Sequence, residues 1–408
     1  MAKTSKSSSK PKPSASSTKK VTTKVYTKSS ITKTVLYRRP VFIIVVILFA
    51  VLGTWLIAGG HALTPNDNLS EAIDDPARGL VYNGRKLATS GSCKGTFESN
   101  VSHANGQKSC EHPDPGPEGV DVRERIKHID ADLAAQVAKD ATTPALSADA
   151  NEVSPTAAAD VLAFGSLSQV SPVNWPCLGT GVDGVRTQMV YVYPYGATNR
   201  ISTLRPSFET IARRTNAVFH NTGVASGGIR NVRYVTNSAC TLSIASVAIS
   251  GSIVDGNNVI TQLRAKGYAS NYRKYLVEID ANYTSNSCGY GQFYPDTRPT
   301  QDNYNNSGDL IALSWRNCWN YTEPHELMHT MGAVQSGAPY STTRGHCYDQ
   351  HDVMCYNDGS GKTMIQRCTS TVNQWRFDCY SDTYFRAAGA TGWLATHWNT
   401  ANNRFLSH

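Results

Sequence analysis

The sequence predicts a layered domain of mixed α and β structure over residues 175–408, behind one transmembrane helix at residues 40–60. Hydrophobic residues make up 40% of the 408-residue chain and charged residues 17%, which is enough apolar surface to form a core. From residue 175 onward, short β-branched and aromatic runs alternate with amphipathic stretches. This alternation predicts that strands and helices pack together.

Each element follows from its own residue pattern. Residues 188–193 are β-branched and aromatic, as in strands, whereas residues 204–219 carry their apolar side chains on one helical stripe. The same criteria predict strands at 229–235, 242–249, 275–279 and 310–315, and helices at 121–139 and 259–263. Glycines and prolines predict a long loop between the last two strands.

The first 60 residues predict the topology of the chain. Residues 1–39 are mostly Ser, Thr, Lys and Pro and predict a disordered basic cytoplasmic tail. Residues 41–58 form an uncharged apolar run that follows Arg38 and Arg39 directly. The positive-inside rule then predicts a single-pass type II cell-membrane protein with an extracellular domain. Cleavage near residue 60, as in a signal peptide, would instead give a secreted protein.

The basic residues of segment 1–40 account for the formal net charge of +8. Residues 1–40 hold 9 Lys and 2 Arg and no acid, so the other 28 basic and 31 acidic residues sum to −3. Nucleic acid is therefore not an expected partner.

All ten cysteines follow the apolar run, and an even number on the outer side predicts disulfides. Proximity in sequence suggests the pairs Cys93–Cys110 and Cys368–Cys379.

One sequence motif contains candidate metal ligands and a candidate catalytic residue. His325 and His329 are four residues apart, so a helix would place both imidazoles on one face, where they could bind one zinc ion. Glu326 would accept a proton from a water that zinc acidifies. Thr322 is expected to cap this helix, and Gly332 to end it with a left-handed residue. The alternative is a chance match of five residues.

The longer string His-Glu-Leu-Met-His-Thr-Met-Gly, residues 325–332, resembles the metzincin zinc metallopeptidases. Asp-Val-Met-Cys-Tyr, residues 352–356, is similar to their methionine turn. The resemblance implies an α+β fold, with a twisted mixed sheet, an active-site helix and a smaller C-terminal subdomain that includes a helix at 393–405. It also implies a zinc-dependent endopeptidase with a polypeptide substrate. Tyr356 would then bind zinc or stabilise the oxyanion.

The third zinc ligand is where the sequence departs from the metzincin motif. Six residues after His329 stands Gln335, and a neutral amide is a poor zinc ligand. His346 precedes Met354 by eight residues, which is the spacing of matrixin-like metzincins, provided that residues 336–345 are an inserted loop. The sequence favours His346, and three alternatives stay open: Gln335, His351 and Asp352.

The predicted site therefore comprises zinc ligands His325, His329 and His346 and catalytic residues Glu326 and Tyr356. Asp349 and Asp352 are expected either to orient ligand imidazoles or to be ordinary loop carboxylates.

Residues 61–174 are expected to be a linker, or a propeptide that blocks the cleft with Cys93 or Cys110 as a zinc-binding thiol. Residues 310–315 could be the edge strand that pairs with substrate. Two other functions stay open: a catalytically inactive metzincin-like surface module, which Gln335 favours, and a cell-wall amide hydrolase.

Overall fold

A computed structural model of the protein describes residues 69–71, 86–116, 122–152, 167–281, 287–368 and 375–408. They all belong to one unit, Pro65–His408. The predicted tail and the predicted membrane helix at residues 40–60 lie outside the described residues. Within the described ranges, no helix is long and apolar enough to cross a membrane.

A mixed sheet forms the centre of the described structure. The strands are β1 Leu69–Glu71, β2 Lys86–Ala88, β3 Phe97–Glu98, β4 Cys110–Pro115, β5 Arg186–Pro194, β6 Asn231–Val232, β7 Ile244–Ile249, β8 Arg273–Ile279, β9 Ser287–Phe293, β10 Ile311–Trp315 and β11 Leu406–Ser407. Among the described residues, nine strands form one sheet in the order β1-β2-β3-β4-β9-β10-β8-β5-β7, and β6 pairs with β11. Strands β7, β5, β8 and β10 are parallel, whereas β9 and β4 are antiparallel to their neighbours.

Helices cover both faces of the sheet. They are α1 Val122–Arg125, α2 Ile129–Thr142, α3 Ile201–Ala225, α4 Gly256–Ala265 and α5 Glu323–Thr330. Successive strand residues point to opposite faces, so Leu276 joins the core beneath α3 and α5 while Val277 joins the core beneath α4. A mixed sheet with few helices fits the predicted α+β class.

Most predicted elements are present. Residues 188–193, 242–249, 275–279 and 310–315 lie largely within strands β5, β7, β8 and β10, and residues 204–219 and 259–263 lie within helices α3 and α4. The helix expected at 121–139 is interrupted at residues 126–128 and divides into α1 and α2. Of the strand expected at 229–235, only Asn231–Val232 forms a ladder.

Two expectations are wrong. The segment after residue 286 is strand β9 rather than loop, because its backbone pairs with β10 on one side and β4 on the other. The C-terminal helix is also absent, since the described chain there forms short 3-10 turns at Gly392–Ala395 and Thr400–Asn402. The Asn399 side chain accepts a hydrogen bond from Ala401 N at 3.2 Å, a local bond that competes with helix.

All ten cysteines form disulfides, and both predicted pairs, Cys93–Cys110 and Cys368–Cys379, are confirmed. The other pairs are Cys177–Cys240, Cys288–Cys318 and Cys347–Cys355. Cys288–Cys318 joins β9 to the turn before α5, and Cys347–Cys355 joins the segment after residue 345 to the predicted methionine turn. Both bonds therefore fix segments around the predicted site.

Candidate metal centre

Helix α5 carries the His-Glu-x-x-His motif directly beside the sheet. Pro324 lies in its first turn, where a missing N–H costs nothing, and Gly332 follows its end with φ +102°. The predicted N-cap hydrogen bond of Thr322 is not formed. The Thr322 hydroxyl instead lies 3.0 Å from Ser314 Oγ. Instead, Glu323 in the first turn accepts a hydrogen bond from Asn320 N at 2.6 Å.

Three imidazoles converge on one buried point. The Nε2 atoms of His325 and His329 are 3.1 Å apart. The His346 ring centroid is 5.4 Å from that of His325 and 5.0 Å from that of His329. Zinc–nitrogen bonds of about 2.0–2.1 Å in a tetrahedron separate two ligand atoms by about 3.3 Å. The observed spacing therefore fits a shared metal ion.

The other ring nitrogen of each histidine faces an acceptor. Nδ1 lies 2.7 Å from Val353 O in His325 and 2.8 Å from Ala333 O in His329. A carbonyl can only accept, so Nδ1 carries the proton and the Nε2 lone pair points to the centre.

In His346, Nδ1 lies 3.3 Å from Asp358 Oδ2. Sequence reasoning missed Asp358 as the carboxylate that orients this imidazole. The two carboxylates proposed for that role bind elsewhere: Asp349 accepts from Arg367 N and Cys368 N, and Asp352 from Met354 N and Asp378 N.

A fourth group, Asp114 of β4, lies among the imidazoles. Its Oδ1 is 2.9 Å from His346 Nε2, and its Oδ2 is 3.4 Å from His325 Nε2 and 3.5 Å from His329 Nε2. One ligand atom from each of these four buried residues lies within 4.8 Å of the others, so the group could hold a metal ion. No local sequence signal marks Asp114, because the pairing of β4 with β9 brings it there from 211 residues before His325.

Glu326 and Tyr356 face the same point. The Tyr356 hydroxyl donates a hydrogen bond to Asp114 Oδ1, and its ring centroid is 4.4 Å from that of His346. Burial raises the pKa of Tyr356 well above its ordinary value, so the hydroxyl keeps its proton. Burial likewise raises the pKa of Glu326 well above the usual carboxyl range, and the negative charge of Asp114 adds to the rise.

Two glycines in β9 allow α5 to lie against the sheet. A Cβ on Gly291 would come 2.4 Å from His329 Cβ and 2.8 Å from Glu326 O. A Cβ on Gly289 would come 2.3 Å from Glu326 Oε1. Real Cβ atoms do not approach so closely, and only glycine permits this contact. The glycines that predicted a loop instead mark close helix–strand packing.

The alternatives for the third ligand lie outside this cluster. The Gln335 amide donates to Tyr294 O at 3.0 Å and to Gly332 O at 2.8 Å, and does not join the imidazoles. Neither His351 nor Asp352 belongs to the group that contains His346. The structure thus brings together the three predicted ligands, both predicted catalytic residues and the unpredicted Asp114.

No protein-family model matches this chain, and no curated protein matches it. The likeness to metzincins therefore rests on the two motifs at residues 325–332 and 352–356.

Proposed function

We propose that this protein is a zinc-dependent endopeptidase that acts outside the membrane. One observation carries the proposal: the imidazoles of His325, His329 and His346 converge at one buried point beside Glu326 and Tyr356. Three histidines with one position left for another ligand are typical of catalytic zinc sites. The neighbouring carboxyl and phenol supply the proton acceptor and donor that amide hydrolysis requires.

His325, His329 and His346 would hold the metal through Nε2. Imidazole nitrogens in a small buried site suit zinc, whereas magnesium and calcium prefer oxygen ligands. A bound zinc ion would supply a Lewis acid that lowers the pKa of water and polarises a peptide carbonyl.

The chain's own groups would perform the proton transfers. Glu326 accepts a proton from the attacking water and later gives it to the leaving amine. The Tyr356 hydroxyl donates a hydrogen bond to the oxygen that becomes negative in the tetrahedral intermediate.

An extended polypeptide would bind along β9 rather than along β10. Strand β10 lies between β8 and β9, so both of its edges are already paired. The other edge of β9 pairs with β4, another extended segment. Peptides commonly add to such an edge by β-augmentation.

If His346 is the third ligand, a glutamine at position 335 does not leave the metal one ligand short. This assignment weakens the case for an inactive surface module. No feature of the described residues favours a cell-wall amide over a peptide, so that substrate remains the alternative for the same chemistry.

The proposal is tested with zinc content and peptide cleavage. Because β4 pairs with β9 beside the centre, cleavage is measured with full-length protein both uncut and after a cut at a specific-protease recognition sequence inserted between residues 118 and 119. We expect about one zinc per chain and cleavage of a casein substrate. Glu326→Gln should keep the zinc and lower kcat/KM by about 10²–10⁴-fold, the usual contribution of a general base. Protein without zinc, or unchanged cleavage by Glu326→Gln, would contradict the proposal.

A further inference from the structure

Lys274 of β8 is a buried side chain whose hydrogen bonds go to backbone carbonyls. The residue is fully buried. Its Nζ atom donates to Asn305 O at 3.0 Å, to Ser307 O at 2.9 Å and to Thr330 O at 2.5 Å. The same atom lies 4.8 Å from the centroid of the Phe405 ring, within the range of a cation–π contact. One nitrogen thus joins β8 to three separate parts of the chain.

The three carbonyls show which form of Lys274 the structure accommodates. A carbonyl oxygen can only accept, so three such bonds require three hydrogens on Nζ, and only the ammonium has three. Burial lowers the pKa of Lys274 well below its ordinary value, because the charged form loses its water. The carbonyl oxygens take the place of that water. The ammonium is therefore the form that pairs with every acceptor around it.

One of the three acceptors is the end of the helix that carries the metal ligands. Thr330 is the last residue of α5 and directly follows His329. The last carbonyls of a helix have no partner within the helix, and a positive charge is favoured at that end. The Lys274 ammonium gives Thr330 O both a hydrogen bond and a positive charge. It therefore ties the end of α5 to β8.

The other two acceptors belong to a turn that packs against the chain just after α5. They are the carbonyls of Asn305 and Ser307. A Cβ on Gly332 would come 2.7 Å from Asn305 Cγ, so the turn lies directly against Gly332. Only glycine permits so close an approach. Lys274 thus holds both sides of this contact, the helix end on one side and the turn on the other.

The same contact lies beside the bond that orients His329. The next carbonyl along the chain, Ala333 O, lies 2.8 Å from His329 Nδ1. A displacement of the turn would move this carbonyl and rotate the imidazole that it holds. The imidazoles of His325 and His346 are oriented by groups outside residues 328–333. Of the three histidines, His329 is therefore the one that depends on Lys274.

We propose that Lys274 is a positioning residue for the metal centre: its ammonium fixes the end of α5 and the turn against Gly332, and so sets the orientation of the His329 imidazole. The inference rests on the proposed function, because it concerns the same metal ion. Its consequence is that loss of the ammonium weakens zinc binding although every ligand is still present.

The first test compares two buried cations in full-length protein. Lys274→Met removes the charge and its donors while keeping a long side chain. Arg230→Met is the matched control, because the buried Arg230 also donates to carbonyls, those of Ile229, Ala387 and Ala401. None of these carbonyls belongs to α5 or to the chain that follows it. Competition with a chromophoric chelator measures zinc affinity, and urea unfolding measures stability.

Both substitutions should lower the free energy of unfolding, because each leaves buried carbonyls without a donor. Only Lys274→Met should weaken zinc binding, with a Kd raised by about 10–100-fold, as is usual when the group that orients a ligand is lost. Zinc affinity unchanged in Lys274→Met would overturn the assignment. An equal loss of affinity in Arg230→Met would overturn it as well.

Lys274→Gln tests the same point if Lys274→Met does not fold. Its amide keeps two N–H donors but carries no charge and reaches less far. The zinc Kd should again rise while that of Arg230→Met stays at the value of the unmodified protein. A Kd that is the same in Lys274→Gln and in unmodified protein would contradict the role of the ammonium.

The second test observes the imidazoles directly, by proton–nitrogen NMR of zinc-loaded protein with isotope-labelled histidine. In Lys274→Met the Nδ1–H resonance of His329 should shift, because the bond to Ala333 O is disturbed. The resonance of His325, which bonds to Val353 O, should stay in place and serves as the internal control. Equal shifts of both resonances, or no shift of either, would refute a specific effect on His329.

These outcomes are separable from those of the proposed function. Unmodified protein that binds no zinc fails the peptidase proposal. Unmodified protein that binds one zinc, together with Lys274→Met of equal zinc affinity, fails only the positioning role of Lys274.

Discussion

Each imidazole at the centre is held by a bond on its outer nitrogen, and the sources of those bonds differ. His325 and His329 share one helix and face backbone carbonyls. His346 lies after residue 335 on an irregular segment and depends on the Asp358 carboxylate. The buried Thr342 hydroxyl also donates to Asp358, which fixes the carboxylate in turn. The third ligand is thus the one whose position depends most on side-chain contacts.

At the scale of single residues, His346→Ala and Gln335→Ala should have opposite effects on metal content. His346→Ala removes an imidazole from the cluster, so zinc should fall from about one per chain to near none. Gln335→Ala removes only hydrogen bonds to Tyr294 O and Gly332 O, so zinc should remain. Metal analysis of dialysed full-length protein measures both. Zinc lost only with Gln335→Ala would refute the ligand assignment.

At the scale of elements, the contact between β9 and α5 aligns the site. The two β9 glycines let the helix backbone approach the strand, and Cys288–Cys318 joins β9 to the turn that leads into α5. His325 and His329 therefore keep their position relative to the sheet edge. The same strand is the proposed binding edge for a polypeptide, so one element positions both the metal ligands and the substrate.

Gly291→Ala should disturb this contact. The added methyl group meets His329 Cβ and the Glu326 carbonyl, and backbone cannot move aside as a flexible side chain can. We expect the free energy of unfolding to fall by about 1–3 kcal/mol, as for other overpacked positions, with weaker zinc binding. Gly389→Ala is the control, because its Cβ would meet no atom within 4 Å. Urea unfolding and metal analysis would show the difference, and equal effects of both substitutions would exclude the close-packing explanation.

At the scale of the whole molecule, buried carboxyls join the predicted methionine turn to the C-terminal region. Asp352 accepts bonds from Met354 N, Asp378 N and the Tyr384 hydroxyl. Asp378 accepts in turn from the backbone N–H groups of residues 382–385. Burial raises the pKa of Asp352 to about 8 and that of Asp378 to about 6. Both groups therefore bind protons more tightly in the folded chain than in the unfolded chain.

This difference predicts how stability changes with pH. A carboxyl whose pKa is higher in the folded chain makes its full contribution to the free energy of unfolding below its unfolded pKa, near 3.8. That contribution is lost as the pH rises toward the folded pKa. The free energy of unfolding should thus decline between about pH 4 and 8, by at most about 1.4 kcal/mol per pH unit for Asp352. Asp352→Asn should flatten this slope in urea unfolding at pH 5 and pH 8. An identical slope in both proteins would rule out Asp352 as its source.

Local patterns were enough to predict several elements and half of the site. Residues 188–193 and 204–219 form a strand and a helix because their side-chain periodicity matches the two faces that become buried. His325, Glu326 and His329 come together because helical spacing alone determines their relative positions. Cys93–Cys110 and Cys368–Cys379 were predictable because short sequence separation favours closure of the loop.

The sequence by itself determined the His-Glu-x-x-His motif on its helix, the uncharged apolar run and the even number of cysteines. The motif and the apolar run depend only on neighbours within a few residues, and the number of cysteines depends only on composition. Only the tertiary structure decided that 287–293 is a strand, that His346 joins the other imidazoles and that Asp114 lies among them. Those features depend on backbone pairing between segments far apart in the chain, and such pairing leaves no periodic signal in either segment. Long-range strand pairing is thus the physical reason why the place of Asp114 among the imidazoles could be found only in the folded molecule.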